Sequence, residues 1–245
     1  MAKSFGLVQK AGNTTSQPLE LHHLAHDLRS PLNAILGFAE LLLEGIEGPL
    51  NDTQTEDIKA IYQSAKTLQN LINSVVDLSK LEAGQLGLSS GPVRLKLMLE
   101  TILATQAERY QLNPVKLTAN LPASLPALHG DSARIEQMLL HLIEFARTIQ
   151  QVTRLELAVV AKDQTVTFNL AAVGGRLPAE TLETMFDLVV NIDDTGRSTL
   201  GPGGLKLPLV RYLAEAHHGQ VWAQLQDGVG PNFYLSLPVE QPVEY

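Results

Sequence analysis

Two apolar stripes dominate the opening stretch of the chain and restrict what it can fold into. The first runs through Leu21, Leu24, Leu28, Leu32, Ile35, Leu36, Ala39, Leu42 and Leu43, at three- and four-residue steps. That period is the signature of one helix face. At 1.5 Å per residue, a helix over 19–44 would be roughly 38 Å long. Pro31 interrupts it, removing a backbone donor and favouring a kink. Gly45, Gly48 and Pro49 end the pattern, and Asp52 or Thr53 is placed to cap a second helix. A second stripe follows through Ile58, Ile61, Tyr62, Ala65, Leu68, Leu71, Ile72, Val75, Leu78 and Leu81. Two long helices with a short connection make a helical hairpin. One hairpin offers two apolar faces and little to bury them against. Dimerisation into a four-helix bundle closes that core, as does packing against the rest of the chain.

Gly84, Gly87 and Ser89-Ser90-Gly91-Pro92 mark a boundary. Beyond it the pattern changes. Helices are expected around 97–108, 131–149, 182–186 and 207–216. Strands are expected near 115–119, 155–161, 165–170, 221–225 and 233–237, where apolar residues alternate or cluster. Mixed elements of this kind read as an α/β sandwich. The expected organisation is a flexible leader over 1–17, a helical domain over 18–88, a linker over 89–92, an α/β domain over 93–240 and a short tail over 241–245.

Composition narrows the function. The formal charge is −8, from 18 Lys+Arg against 26 Asp+Glu. A general binder of the nucleic-acid backbone carries a basic surface, so that class is disfavoured. Cysteine is absent, which removes disulfides, thiolate catalysis and cysteine-based metal sites. No segment has signal-peptide character, and none approaches the roughly 18–20 apolar residues of a membrane span. The expectation is a cytoplasmic protein without membrane insertion.

One stretch of the first helix carries chemistry: His26-Asp27-Leu28-Arg29-Ser30-Pro31-Leu32-Asn33-Ala34-Ile35-Leu36-Gly37-Phe38. A neutral imidazole nitrogen can attack a phosphoryl group and later pass it on. Asp27 adjoins His26 and can accept the other ring proton, fixing the tautomer. Arg29 can balance negative charge nearby. Ser30 lies four residues after His26, on the same helical face. His22 and His26 share that spacing, but two nitrogens on one helix make a poor metal site, and no metal site is expected. An isolated histidine in such a pattern is most often a surface or core residue. The surrounding residues reverse that reading, because the stretch resembles the phospho-acceptor box of dimeric sensor histidine kinases. Ser79-Lys80-Leu81-Glu82-Ala83-Gly84-Gln85-Leu86 resembles the end of the same family's second helix. The resemblance implies that Asp27 is the general base for autophosphorylation. It further implies that Ser30 orients water for partner dephosphorylation, and that Pro31 is the family's kink.

Residues 92–240 resemble the ATP-binding domain of the same kinases. Asp131-Ser132-Ala133-Arg134-Ile135-Glu136-Gln137-Met138-Leu139-Leu140 is similar to the start of its asparagine-box helix. Ala214-Glu215-Ala216-His217-His218-Gly219-Gln220-Val221-Trp222 is similar to its later helix-to-strand passage, and Gly228 to Leu235 to its last hairpin. Departures fall where the chemistry belongs. His141 and Phe145 stand at the two asparagine positions, and phenylalanine offers a hard cation no oxygen. In the next box the adenine-reading aspartate position holds Ala172. Gly174 is retained there, while Arg176 replaces a later glycine. Loss of that carboxylate removes an acceptor and with it nucleotide selectivity. Gly201-Pro202-Gly203-Gly204-Leu205-Lys206 retains several glycines at a helix start, where backbone donors can face a phosphate. Lys206 nevertheless stands at a usual glycine position and Pro208 sits in the helix's early turns. Such a run by itself reads equally well as a mobile surface loop. Asn191 to Arg197 resembles the nucleotide lid in position only.

Gly174, Arg176, Gly201, Gly203 and Gly204 are thus vestigial cofactor-binding candidates, with weak or absent ATP binding expected. The reading is a degenerate histidine-kinase-like phosphorelay protein. His26 exchanges phosphate with a response-regulator receiver aspartate, within a homodimer, and input comes from a separate sensor protein. Two alternatives stay open. One is an active histidine kinase that does use ATP and magnesium, and the other is a non-catalytic dimeric scaffold.

Overall fold

The computed structural model describes residues 18–46, 48–82, 87–109, 115–122, 124–188, 190–192 and 198–239. The expected leader over 1–17, the expected tail over 241–245 and residues 193–197 of the lid candidate lie outside the described residues. The chain divides into two compact units at Leu86–Gly87.

The first unit is the helical hairpin, with α1 over Pro18–Leu43 and α2 over Asp52–Glu82. Pro31 lies inside α1. The α1 terminus has a specific closure. Gly45 takes φ +70°, its N–H donates to the Leu42 carbonyl at 3.1 Å, and the Ile46 N–H donates to the Leu41 carbonyl at 3.3 Å. This double bond pattern around a left-handed glycine satisfies carbonyls that the helix end would leave open. The α2 start is capped by Asn51, one residue before the two expected. The Asn51 side chain accepts from the Gln54 N–H at 2.8 Å, and Gln54 Oε1 accepts from the Asn51 N–H at 3.0 Å. This reciprocal pair is a capping box, and it needs the cap residue three positions before its partner.

Three polar pairs fix how the helices meet. Arg29 Nη2 donates to Asn73 Oδ1 at 3.0 Å, Gln69 Nε2 to Asn33 Oδ1 at 3.1 Å, and Tyr62 Oη to Glu40 Oε1 at 2.8 Å. The positions rise along α1 as they fall along α2, in one constant antiparallel register. Leu32, Leu36, Ala65, Ile72 and Val76 form the buried seam, with Tyr62 packed on it. Each buried Leu or Ile contributes about 1.5–3 kcal/mol, so this seam is modest. Leu28, Ile35, Phe38, Leu41, Ile61 and Leu68 remain exposed on the single chain.

The second unit is a five-stranded sheet with helices packed on it. Its elements are β1 (Gly91–Val93), α3 (Leu95–Arg109), β2 (Lys116–Asn120), β3 (Leu128–Gly130), α4 (Ser132–Arg147), β4 (Arg154–Lys162), β5 (Thr165–Val173), α5 (Ala179–Thr184), β6 (Val190–Ile192), β7 (Ser198–Leu200), α6 (Lys206–Ala216), β8 (Gln220–Gln226) and β9 (Gly230–Pro238). Gly91 and Pro92, read from sequence as linker, pair instead with Gly130 and His129. The main sheet has the order β2-β4-β5-β9-β8. The β2–β4 pair is parallel and the other neighbours are antiparallel. Asp163 and Gln164 join β4 to β5 with φ of +50° and +63°, as a primed two-residue hairpin turn requires.

Alternation along the strands builds the core. Leu155, Leu157, Val166, Phe168, Leu170, Phe233, Leu235 and Leu237 are buried from the sheet side. Ile135, Met138, Leu139, Leu142 and Ile143 of α4 are buried with them, as are Leu207, Leu209, Val210 and Leu213 of α6. Asp131 caps α4: Oδ1 accepts from the Arg134 N–H at 3.1 Å, and Oδ2 accepts from the Ser89 N–H at 2.9 Å.

Candidate functional site

In the hairpin, the phospho-acceptor candidates lie along α1. His26 is on this helix, and its side chain is outside the described part. Asp27 and Ser30 are exposed, open to a partner approaching the helix. The Arg29 guanidinium is engaged within the hairpin. Its Nε and Nη2 both reach Asn73 Oδ1, at 3.3 and 3.0 Å. The guanidinium therefore braces α1 against α2, three residues along from His26. Asn73 carries no signal of its own in the sequence, because Asn70, Ser74 and Asp77 are equally polar positions between the apolar ones of α2. Ser74 and Asp77 of α2 are buried.

In the α/β unit, the candidate residues surround the end of α4 and the start of α6. Phe145 projects from α4 onto Phe233 of β9, with ring centroids 5.9 Å apart and planes at 83°. Edge-to-face pairs of this kind contribute about 0.5–1.5 kcal/mol beyond burial. The neighbouring Glu144 receives Lys206 Nζ on Oε2 at 2.6 Å. Glu144 is 15% exposed and Lys206 32%. His141, one turn before Phe145, is buried. Ala172 is fully buried on β5. A side chain on Gly230 would come within 2.5 Å of the Ala172 carbonyl oxygen, so the start of β9 runs close to the Ala172 backbone.

The glycine candidates have structural explanations of their own. Gly174 adopts φ +78°, its N–H donates to the Val229 carbonyl at 2.7 Å, and a Cβ there would meet the Gln151 carbonyl at 3.1 Å. Arg176 exposes its side chain, while its N–H donates to the Gln150 carbonyl at 2.9 Å. Gly203 is buried, and a Cβ there would overlap the Met185 carbonyl oxygen. Gly204 has φ +57° and open space around it, with its N–H donating to the Gly201 carbonyl at 2.9 Å. The run is thus a packed turn into α6 and not simply a loose loop. A groove of about 740 Å³ lies elsewhere, lined by Leu182, Phe186, Arg211, His218 and Trp222 among others.

A phospho-acceptor-like helical hairpin followed by an ATPase-type α/β unit defines a class, and comparison with known proteins agrees. Residues 19–84 match the family model for the His Kinase A (phospho-acceptor) domain. Residues 130–241 match that for the Histidine kinase-, DNA gyrase B-, and HSP90-like ATPase. The chain belongs to the sensor histidine kinase family. It is 29% identical over 224 residues to the circadian input-output histidine kinase CikA of Synechococcus elongatus, covering 90% of this chain and 30% of that protein. It is 32% identical over 226 residues to the sensor histidine kinase GacS of Pseudomonas protegens, covering 89% of this chain and 24% of that protein. The chain therefore spans a third or less of the length of these two relatives.

Solved structures share the fold. Full-length ShkA in complex with AMPPNP superposes with a TM-score of 0.70 at 24% identity, over 93% of this chain and 47% of that one. The Acinetobacter baumannii histidine kinase AdeS gives 0.60 at 19% identity, over 88% of this chain and 98% of that one. No helix among the described residues is long and apolar enough to cross a membrane.

Proposed function

We propose that the chain is a degenerate, phosphorelay member of its family, working as a cytoplasmic homodimer with weak or absent use of ATP. The observation that carries this reading is the Phe145 ring lodged against Phe233 where the resemblance calls for a magnesium-holding asparagine. Magnesium takes oxygen ligands. Phe145 has none to give, Ala172 supplies no carboxylate for adenine, and Glu144 is committed to Lys206. These residues do not fit magnesium–ATP in the family's manner, and no step is routed through it.

Phosphate then arrives from a phosphorylated receiver domain. A neutral ring nitrogen of His26 attacks the phosphorus of the receiver's aspartyl phosphate. The P–N bond forms as the P–O bond to the aspartate breaks, and the aspartate leaves as carboxylate. Asp27 takes the other ring proton, and the reverse sequence returns the phosphoryl group. Exposed Leu28, Ile35, Phe38 and Leu68 support a second copy covering the hairpin. Input from a separate sensor belongs to the same reading.

The test mixes purified protein with phosphorylated receiver domains and follows label on His26, with His26→Gln as control. Label that appears on the protein and requires His26 supports the relay. No label and no loss of receiver phosphate overturns it. A second reading, an ATP-dependent kinase with an unusual pocket, is favoured by the ATPase family match over 130–241. Tight magnesium–ATP binding with His26-dependent autophosphorylation establishes that instead. Normal signalling by His26→Gln establishes the scaffold reading.

A further inference from the structure

Strand β8 is an open edge of the main sheet. It ends the order β2-β4-β5-β9-β8, and among the described residues no strand pairs with its far side. Free N–H and C=O groups on such an edge accept another strand, so edges are commonly guarded by shortness, lysine or proline. The opposite edge follows that rule, since β2 is five residues long and carries Lys116. β8 does not follow it. Gln220-Val221-Trp222-Ala223-Gln224-Leu225-Gln226 contains no charge, glycine or proline, and Leu225 is 48% exposed. The groove of about 740 Å³ runs along the first half of this strand, from Gly219 to Ala223, with Leu182 and Phe186 supplying apolar surface.

The register with β9 sorts the two faces of β8. Val221 and Ala223 pair with buried Leu235 and Phe233, so they and Leu225 lie on the core side. Trp222 pairs with Tyr234 on the outer side, and the two rings stack with centroids 5.1 Å apart and planes at 10°. That spacing is close to the roughly 4.7–4.9 Å between neighbouring strands. The stack therefore runs across the sheet from β9 to β8. Tyr234 covers one face of the indole, and the other face looks out past the edge, where a residue of an added strand would stand. An indole face is the best aromatic partner for a cation. The groove is acidic as well. Glu183 lines it, and Arg211 is bound there by both Asp187 and Glu215, two carboxylates for one guanidinium.

We propose that β8 is a docking edge for an extended segment of another protein, in which basic residues alternate with apolar ones. The segment adds to the five-stranded sheet through backbone bonds to β8. Its basic residues stand on the outer side, one of them over Trp222. Its apolar residues continue the row of Val221, Ala223 and Leu225 and meet Leu182 and Phe186. A second copy of the chain fits less well, because its own β8 has no cation to offer. None of these residues takes part in the chemistry of His26, so the edge serves whether or not the relay reading stands.

Trp222 is the single tryptophan of the chain, so its fluorescence reports the edge directly. The full chain is titrated with a short synthetic peptide of alternating arginine and valine. Two further forms of the peptide carry backbone N-methyl groups, on the arginines in one and on the valines in the other. A strand turns the N–H groups of alternate residues to opposite edges, so one methylated form should bind at least tenfold more weakly and the other should not. Glutamate in place of arginine should also weaken binding at least tenfold. So should Trp222→Leu, measured by calorimetry. Glu183→Lys changes an exposed residue and should weaken binding at least threefold at low salt; it carries the comparison if Trp222→Leu does not fold. The absence of a saturable fluorescence change overturns the proposal. Two methylated forms that behave alike, a glutamate peptide that binds as well, or folded variants that bind like wild type also overturn it. A fluorescence change that follows protein concentration without peptide, and is lost in Leu225→Lys, assigns the edge to a second copy and overturns it too.

Discussion

The backbone N–H of Asp131 donates to His217 Nε2 at 3.1 Å, in the interior of the α/β unit. The opposite ring nitrogen, Nδ1, faces the Leu213 carbonyl at 2.7 Å. A nitrogen that accepts from an N–H is unprotonated, so the ring is neutral with its proton on Nδ1. His217 thereby ties the cap of α4 to the end of α6.

This arrangement makes stability depend on pH. Burial of His217 is the largest influence and holds its pKa below the ordinary value, and His218 acts in the same direction. The Leu213 carbonyl and the Asp131 carboxylate act against it. A lowered folded pKa means that the unfolded chain takes up the proton first. The contribution is complete above the unfolded pKa, about 6.5, and is lost as pH falls below that value toward the folded pKa. Thermal unfolding between pH 8 and 5 should show Tm falling with acidification, and falling less steeply in His217→Gln. Equal slopes would remove His217 as the cause.

Phe145 tests what one ring contact contributes to the α/β unit. Phe145→Ala forfeits the contact with Phe233 and should destabilise the protein by about 2–4 kcal/mol, reduced from a fully buried ring by its partial exposure. Phe145→Asn restores an oxygen but leaves Ala172 and the Glu144–Lys206 pair in place. It should therefore bind magnesium–ATP no better than wild type in calorimetry. A large gain would mean that Phe145 alone blocks the nucleotide.

Gly203 and Gly204 are adjacent but differ in what they tolerate. A Cβ on Gly203 would overlap the Met185 carbonyl, whereas Gly204 has open space and only a left-handed φ of +57°. Gly204→Ala should cost about 1–2 kcal/mol. Gly203→Ala should cost clearly more, because backbone must move. Chemical denaturation of the two variants decides between this order and its reverse.

Phe38 is 66% exposed on the hairpin surface. If a second copy covers that face, Phe38→Asp should weaken self-association at least tenfold in sedimentation experiments. The α/β unit should unfold at an unchanged temperature. An unaltered oligomeric state would place the dimer contact elsewhere.

The hairpin was legible because its apolar residues repeat with the helical period over many turns. Its cap was displaced by one residue because Asn51 acts through Gln54, a partnership that composition alone does not favour over Asp52. The main strands were legible from alternation and a short extended piece is readable at Val93, the last residue of β1, but β3, β6 and β7 were not, since three residues carry no period. In the candidate site, the residue types at Phe145 and Ala172 could be read directly, but not what surrounds them. The union of Glu144 with Lys206 could not, because only the folded chain brings those positions together. Gly203 stayed ambiguous for the same reason, as Met185 belongs to a different segment.

The tip of the hairpin closes on itself, through Gly45 at the end of α1 and Asn51 at the start of α2. Three cross-helix pairs then carry the same register toward the His26 end. Sliding α1 along α2 would break all of them at once, so translation is the costly way to reset the histidine. Pro31 lies between the Arg29–Asn73 and Asn33–Gln69 pairs, where the α1 ladder already lacks one rung. The hairpin is thus built as a lever with a fixed heel and a soft joint. Bending at Pro31 would carry His26 sideways at the cost of the Arg29–Asn73 pair alone, while the register below stays put.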